Sequence, residues 1–340
     1  MATTSLIIPT SAELQLIAQE KTPVLTLDDP IFDIMPITTS DEYVLMWEQR
    51  DNYLGLQGVR GLGGQPSRVA PVGGKRYTVI PGAYGEYGVL DELQLTARRQ
   101  WGQFGASIDV RDMVMEWQDQ LLNRRIDRWR YTGWTLLGSG TFSAARADGT
   151  VEHTDTFSLQ TFTASPLWSS TSTATPLANL RANKLLGRGK GVSFGRDSTL
   201  YMNQTDVNNL LNNSNSADLF GRRVNGLSTV NNLSDLNELL AGDDLPQIVV
   251  YDKGYLNDSG TFTLFIPAGT AVHVGKRLQG QVIADICATR NANNPDMAPG
   301  PYQKIIDRGE DQVPRVVEVH DGANFAPRIY YPGSVIRYTI

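Results

Sequence analysis

The chain has 340 residues, 41% of them hydrophobic and 19% charged, with a formal charge of −6; this allows a sizeable core in one or two domains and argues against a dedicated nucleic-acid binder, which shows a basic field. Cys287 is the lone cysteine, so no disulfide or thiolate zinc site is built within one chain. With no signal peptide, lipidation signal or long apolar run, a soluble, cytosol-assembled protein is expected.

Residues 1–40 begin with a short helix. Thr10 and Glu13 have the spacing of a capping box, and Leu14, Ile17 and Ala18 form its apolar side through about Lys21. Prolines at 23, 30 and 36, with apolar residues between them, predict an extended arm that lies along another surface. Residues 41–85 predict a long β-hairpin. Tyr43, Leu45 and Trp47 alternate on one strand, and Lys75 to Ile80 form the other. The stretch between them holds seven glycines and no periodicity, a wide tip of the kind that is usually functional.

Residues 107–132 read as one long helix. Ser107 is placed to cap it, arginines 124, 125, 128 and 130 load its far end, and Gly133 follows as a stop. At about 1.5 Å per residue the rod is roughly 38 Å long. Ile108, Met115, Trp117, Leu121, Leu122, Ile126 and Trp129 share a broad apolar side, with the core expected at Met115, Leu122, Ile126 and Trp129. Asp109, Asp112, Glu116, Asp119, Asn123 and Asp127 fill the remaining arc.

After the helix, residues 140–145 and 151–163 predict antiparallel strands beside it, and 165–176 a linker. Residues 177–300 predict a second, mixed region. It has a helix at 177–186, a strand at 198–202, a helix capped by Thr205 and another capped by Ser234. A strand at 247–251 follows, then a hairpin of 261–266 with 271–274 about Gly269. The last forty residues return to strands turning at Asp321-Gly322 and Pro332-Gly333.

Motifs for chemistry are weak. The run from Leu186 to Gly191 lacks the spacing of a phosphate loop, and Gly191 rather than a hydroxyl residue follows Lys190. His153, His273 and His320 fall in separate predicted strands without metal-ligand spacing. The helix carboxylates have no histidine beside them and read as a solvated or arginine-paired face. No catalytic residue, metal or cofactor is expected.

Taken together, an arm, a hairpin, a long helix beside a sheet, a second α/β region and a β return resemble the major capsid proteins of tailed bacteriophages. The resemblance is to the lambda-like capsid protein E family of the Hong Kong 97-type fold. Asp28 to Phe32, Gly61 to Gly64 and on to Tyr77 are similar to that family's N-arm and extended loop, and Asp91 to Ile126 to its spine-helix approach. The resemblance implies an α+β fold with an arm at 1–40, an extended loop at 41–85, a peripheral domain at 86–176 plus 301–340, and an axial domain at 177–300. It implies a structural protein that forms hexamers and pentamers of an icosahedral shell, enclosing double-stranded DNA without sequence-specific binding. It places the chain in the virion, assembled in the host cytoplasm and not in a membrane. Separate scaffolding, portal and decoration proteins are the further partners expected. Contacts between subunits are expected at Arg60, Arg68, Lys75, Arg76, Phe32 and Ile34. Lys75 is the only lysine of the loop and has no assignable companion carboxylate, so a decoration protein is expected in place of a covalent cross-link. The rival readings are a nucleotide-binding protein or enzyme using the loop at 187–191, and a minor virion or tail component.

Overall fold

A long helix, Arg111–Ser139, crosses the molecule, and two sheets are arranged about it. The computed structural model describes residues 6–27, 29–50, 56–69, 74–97, 108–145, 150–214, 232–257, 259–278, 280–308 and 313–340. The helix is 29 residues long and starts after Val110, which makes no side-chain cap bond; Ser107, the expected cap, lies outside the described residues. Its stop is Gly140, not Gly133. Gly140 adopts a φ of 75° and gives its N–H to the Leu136 carbonyl at 2.8 Å, a left-handed closure that glycine permits without strain.

Gly133 is buried inside the helix, where a Cβ would lie 2.7 Å from Ile31 Cγ1. Its missing side chain lets a second helix come close. Gly133→Val is therefore expected to destabilise the fold by about 1–3 kcal/mol through overpacking, read as a lower urea midpoint. An unchanged midpoint would show that the contact relaxes freely.

That second helix corrects the extended arm expected at 23–36. The first helix, Ser11–Thr26, has the Thr10–Glu13 capping box and continues through Pro23. Pro23 is exposed, so water can take up the backbone group its ring leaves unpaired. Pro30–Ile34 then forms a short helix capped by Asp29, with proline at its start, where the missing N–H is tolerated. Ile31, Phe32 and Met35 are buried in the subunit's own core beside Trp129 and Trp134.

The first sheet is built on Val317–Ile329, a thirteen-residue strand that runs straight through the expected turn at Asp321-Gly322. Gly322 serves close approach, since a Cβ there would meet the Tyr84 carbonyl at 2.5 Å. Gly82–Leu90 pairs along one side of this strand. Tyr302–Asp307 and Ala284–Ala288 pair along the other, with Ile37–Thr39 parallel to the latter. Trp129 meets Phe325 edge-on at 6.2 Å, where helix and sheet pack.

The second sheet has the order Gln247–Val250, Thr199–Met202, Thr270–Val274, Val335–Thr339 and Gln160–Thr163. The last strand of the chain thus lies inside this sheet. Residues 270–274 pair with it rather than forming a hairpin with 262–264, whose partner is Gly254–Leu256. Thr141–Ala145 pairs with Val151–Thr156, while Gln160–Thr163 leaves them to run parallel to Val335–Thr339. Helices Pro176–Lys184, Gln204–Leu211 and Leu233–Gly242 supply Leu177, Leu180, Val207, Leu210, Leu236 and Leu240 to the core of this sheet. Asn203 and Asn232, not Thr205 and Ser234, cap the last two, each accepting at 2.8 Å from the N–H three residues on. The expected linker at 165–176 is packed, with Trp168 and Ala174 buried in the same core. At the sheet's outer edge the Asn237 amide makes a pair of bonds to Ile248, accepting from its N–H at 2.8 Å and donating to its carbonyl at 2.9 Å.

Candidate assembly surface

The expected hairpin is present. Leu45–Arg50 pairs antiparallel with Gly74–Val79, in register from Leu45↔Val79 to Arg50↔Gly74. Alternation turns Leu45, Trp47 and Gln49 inward, all at most 8% exposed, while Tyr43, outside the strand, is exposed. Trp47 Nε1 and Gln49 Nε2 both donate to the Ile329 carbonyl, at 2.8 and 3.0 Å. The rings of Trp47, Tyr77 and Phe157 lie together with centroids 5.7–6.0 Å apart. The base of the hairpin is thereby fixed to the end of the central strand.

Beyond it the described tip, residues 56–69, is exposed throughout. Leu56, Val59 and Leu62 have exposures of 101%, 102% and 109%, so they touch nothing in their own subunit. Arg60, Arg68, Lys75 and Arg76 are exposed here as well, and Arg60 reaches back to the Gly64 carbonyl at 3.4 Å. Phe32 and Ile34 stand apart from this group. Phe32 is 9% exposed within the core and Ile34 packs against that core. On the long helix Leu122, Ile126 and Trp129 are buried, whereas Met115 is only half-buried. The inward positions at that end are Val114, Gln118 and Leu121.

Three polar clusters were not foreseen in the sequence. Arg125, buried on the helix, donates to Asp321 at 2.6 Å, and Gln303 donates to the same carboxylate at 2.7 Å. Gln118 joins them by donating to Gln303 at 2.6 Å and to the Leu14 carbonyl at 2.7 Å. Burial pushes the Asp321 carboxyl upward against the pull of the Arg125 charge. Asp29 is the second hub. Besides capping Pro30–Ile34 it accepts from Arg130 at 2.8 Å, from the Tyr251 hydroxyl at 3.1 Å and from Lys253 at 3.2 Å. Burial, and then the Asp29 charge, raises the Tyr251 hydroxyl.

The third cluster superficially offers a nucleophile and a base. Ser198 Oγ lies 2.8 Å from His273 Nε2, and Tyr338 lies 3.2 Å from Nδ1. Ser198 gives its proton to the Gly195 carbonyl at 2.6 Å, which makes His273 the donor to it. All three side chains are buried, so no substrate reaches them. They are a neutral strut.

Complete burial pushes His273 down to about 3, whereas an unfolded histidine titrates near 6.5. The unfolded chain therefore binds a proton that the fold refuses between those values. This contribution to stability is full above about pH 6.5 and is lost at about 1.4 kcal/mol per pH unit as pH falls towards 3. His273→Gln is expected to flatten urea-derived stability between pH 6 and 4 by about one proton's slope. An unaltered slope would contradict the neutral assignment.

The run from Leu186 to Gly191, which lacks phosphate-loop spacing, forms a turn in which Lys190 N–H donates to the Gly187 carbonyl at 3.1 Å. Gly189 and Gly191 take φ values of 78° and 65°, Lys190 donates to Gln160 at 2.6 Å, and its carbonyl accepts from Arg277. Among the described residues no three His, Cys, Asp or Glu side chains come together as a metal set, and no helix is long and apolar enough to cross a membrane.

Among solved structures the chain is similar to a protein assigned as a prophage capsid protein of Escherichia coli CFT073. The TM-score is 0.60 at 12% identity, over 98% of this chain and 99% of that one. The fold is that of a phage capsid protein. A phage-related protein from Bordetella bronchiseptica RB50 is also similar, with a TM-score of 0.54 at 9% identity, covering 99% of this chain and 98% of its own. No family model and no curated protein matches the sequence. The mixed α+β capsid fold is of the Hong Kong 97 type expected from the sequence.

Proposed function

We propose that this chain is the major capsid protein of a tailed bacteriophage, a shell subunit without catalytic activity. Copies of it form hexamers and pentamers that close into an icosahedral container for double-stranded DNA. One observation carries the reading beyond the fold: an anchored hairpin holds out a tip whose Leu56, Val59 and Leu62 side chains are wholly exposed. Ordering such a tip costs roughly 1–2 kcal/mol per residue of backbone entropy, which contacts on another molecule can offset. The net charge of −6 keeps the packaged polyanion from adhering to the wall. The first sheet with the long helix serves as the peripheral part, and the second sheet as the axial part. Strand 284–288 belongs with the former and strand 335–339 with the latter. Scaffolding, portal and decoration functions fall to separate proteins, and assembly takes place in the host cytoplasm.

Negative-stain microscopy and sedimentation of the expressed chain are expected to show rings, capsomers or shells. A monomer at every concentration would overturn the proposal. The nucleotide-binding alternative is tested separately. No saturable ATP binding is expected by calorimetry, and binding that disappears in Lys190→Ala would establish the rival.

A further inference from the structure

Two basic turns lie side by side just beyond strand Thr270–Val274 of the second sheet. Val192–Ser193 pairs antiparallel with Lys276–Arg277, in the register Val192↔Arg277 and Ser193↔Lys276. The pairing continues outward, where Leu278 N–H donates to the Gly191 carbonyl at 3.1 Å and Arg277 to the Lys190 carbonyl at 3.2 Å. Residues 184–196 carry Lys184, Arg188, Lys190 and Arg196, residues 276–283 carry Lys276 and Arg277, and neither segment has an acidic residue. In a chain of net charge −6 this is a local reversal of sign. Asp244 answers part of it, pairing with Lys184 and accepting from Arg196 N–H at 3.0 Å. Arg188, Lys190 and Lys276 are exposed, and Lys190 donates to the neutral amide of Gln160 at 2.6 Å. A Cβ placed on Gly189 would meet nothing within 4 Å, so the turn between Arg188 and Lys190 is open to solvent. Beside these three stands Arg277, 6% exposed, with its guanidinium stacked on Tyr331 at 3.7 Å and donating to Gln281 at 2.6 Å. Keeping a buried cation beside three exposed ones costs stability through desolvation and like-charge repulsion, a cost that an arriving anion offsets.

We propose that this surface binds the phosphate backbone of double-stranded DNA, an inference that rests on the shell-subunit reading and gives the cargo a place on the subunit. Arginine and lysine neutralise phosphates and release the counterions condensed on them. Gly187, Gly189 and Gly191 alternate with Arg188 and Lys190, and residues without a side chain let a phosphate backbone come close. Contacts of this kind read charge and not sequence. The acidic balance of the chain keeps the rest of the wall from adhering, so the contact stays local. Three phosphate contacts in one copy hold weakly, and repetition over the copies of a shell adds them.

Fluorescence anisotropy of a labelled random-sequence duplex, titrated with the full chain, tests this. Three phosphate contacts give a log–log salt slope of about −2.7, so affinity is expected to fall roughly fortyfold between about 50 and 200 mM salt. Arg188→Gln, Lys190→Gln and Lys276→Gln are each expected to shrink the slope by about one contact. Each should leave the melting temperature unchanged or higher, because repulsion is relieved. Lys304→Gln, at an exposed cation of strand Tyr302–Asp307, is expected to change neither. No binding by a chain that forms shells, or slopes unaltered in all three variants, overturns the surface and leaves the shell reading intact. Equally tight binding of poly-L-glutamate at matched charge overturns it in favour of an acidic protein segment. Displacement of the duplex by ATP at matched ionic strength overturns it in favour of a nucleotide. Salt-dependent binding that the three variants weaken, in a chain that never forms shells, upholds the surface and overturns the shell reading.

Discussion

Joining Arg50 directly to Gly74 through an Asn-Gly turn, in place of residues 51–73, is expected to leave a folded chain that no longer assembles. The register Arg50↔Gly74 allows a two-residue connection, and Asn-Gly favours the turn whose twist matches the strands. The residues fixing the base, Trp47, Gln49 and Tyr77, are all retained. The described part of the removed stretch buries nothing in its own subunit, so circular dichroism and the melting temperature should scarcely change. Sedimentation should show loss of the large species, at least tenfold at matched concentration. Normal shells from the shortened chain would remove the tip from assembly. An unfolded product would mean that the tip belongs to the subunit's own core.

Leu122→Asp is expected to abolish folding, while Asp119→Asn on the same helix is tolerated. Leu122 is fully buried in the main core, and an unpaired carboxylate placed there costs several kcal/mol. That is a large share of a total stability of about 5–15 kcal/mol. Asp119 is half-exposed and pairs with Lys21 at 2.5 Å, an interaction worth about 0–1 kcal/mol at the surface. The comparison is read as soluble yield and as the urea midpoint of whatever folds. Equal yields would mean that the helix is turned the other way.

The elements that were legible in the sequence are those specified by neighbours a few residues apart. The capping box at Thr10, the alternation through Leu45 and Trp47, and the apolar period through Leu122, Ile126 and Trp129 are local signals, and each lies where it predicts. Glycine and proline misled wherever a distant segment decides their use. Gly133 and Gly322 resemble punctuation, yet each is a place where another chain segment comes too near for a side chain. Pro23 and Pro30 resemble an extended arm, yet one faces solvent on a helix and the other opens a helix. Met115 fits the apolar period, but the helix presents Val114 and Gln118 at that level. The pairing of Arg125 with Asp321, 196 residues away in sequence, has no local signature, because only the packed sheet brings the two together. The tip shows the converse. Its glycines and lack of periodicity predicted a segment without a core, and its described residues are exposed.

A subunit with the proposed shell role must also refuse most ways of polymerising. Strand Gln247–Val250 ends its sheet, and Gln247 N–H and Tyr251 N–H point inward to Ser198 and Met202. The groups facing away are therefore those of Ile248 and Val250, since alternate residues face opposite neighbours. The Asn237 amide imitates a peptide and occupies the Ile248 position from both sides. A stray strand arriving at this margin finds one residue's worth of partners, too few to set a register. The Asn237 amide thus hinders edge-to-edge pairing at this margin, which in the proposed shell would leave association to other surfaces.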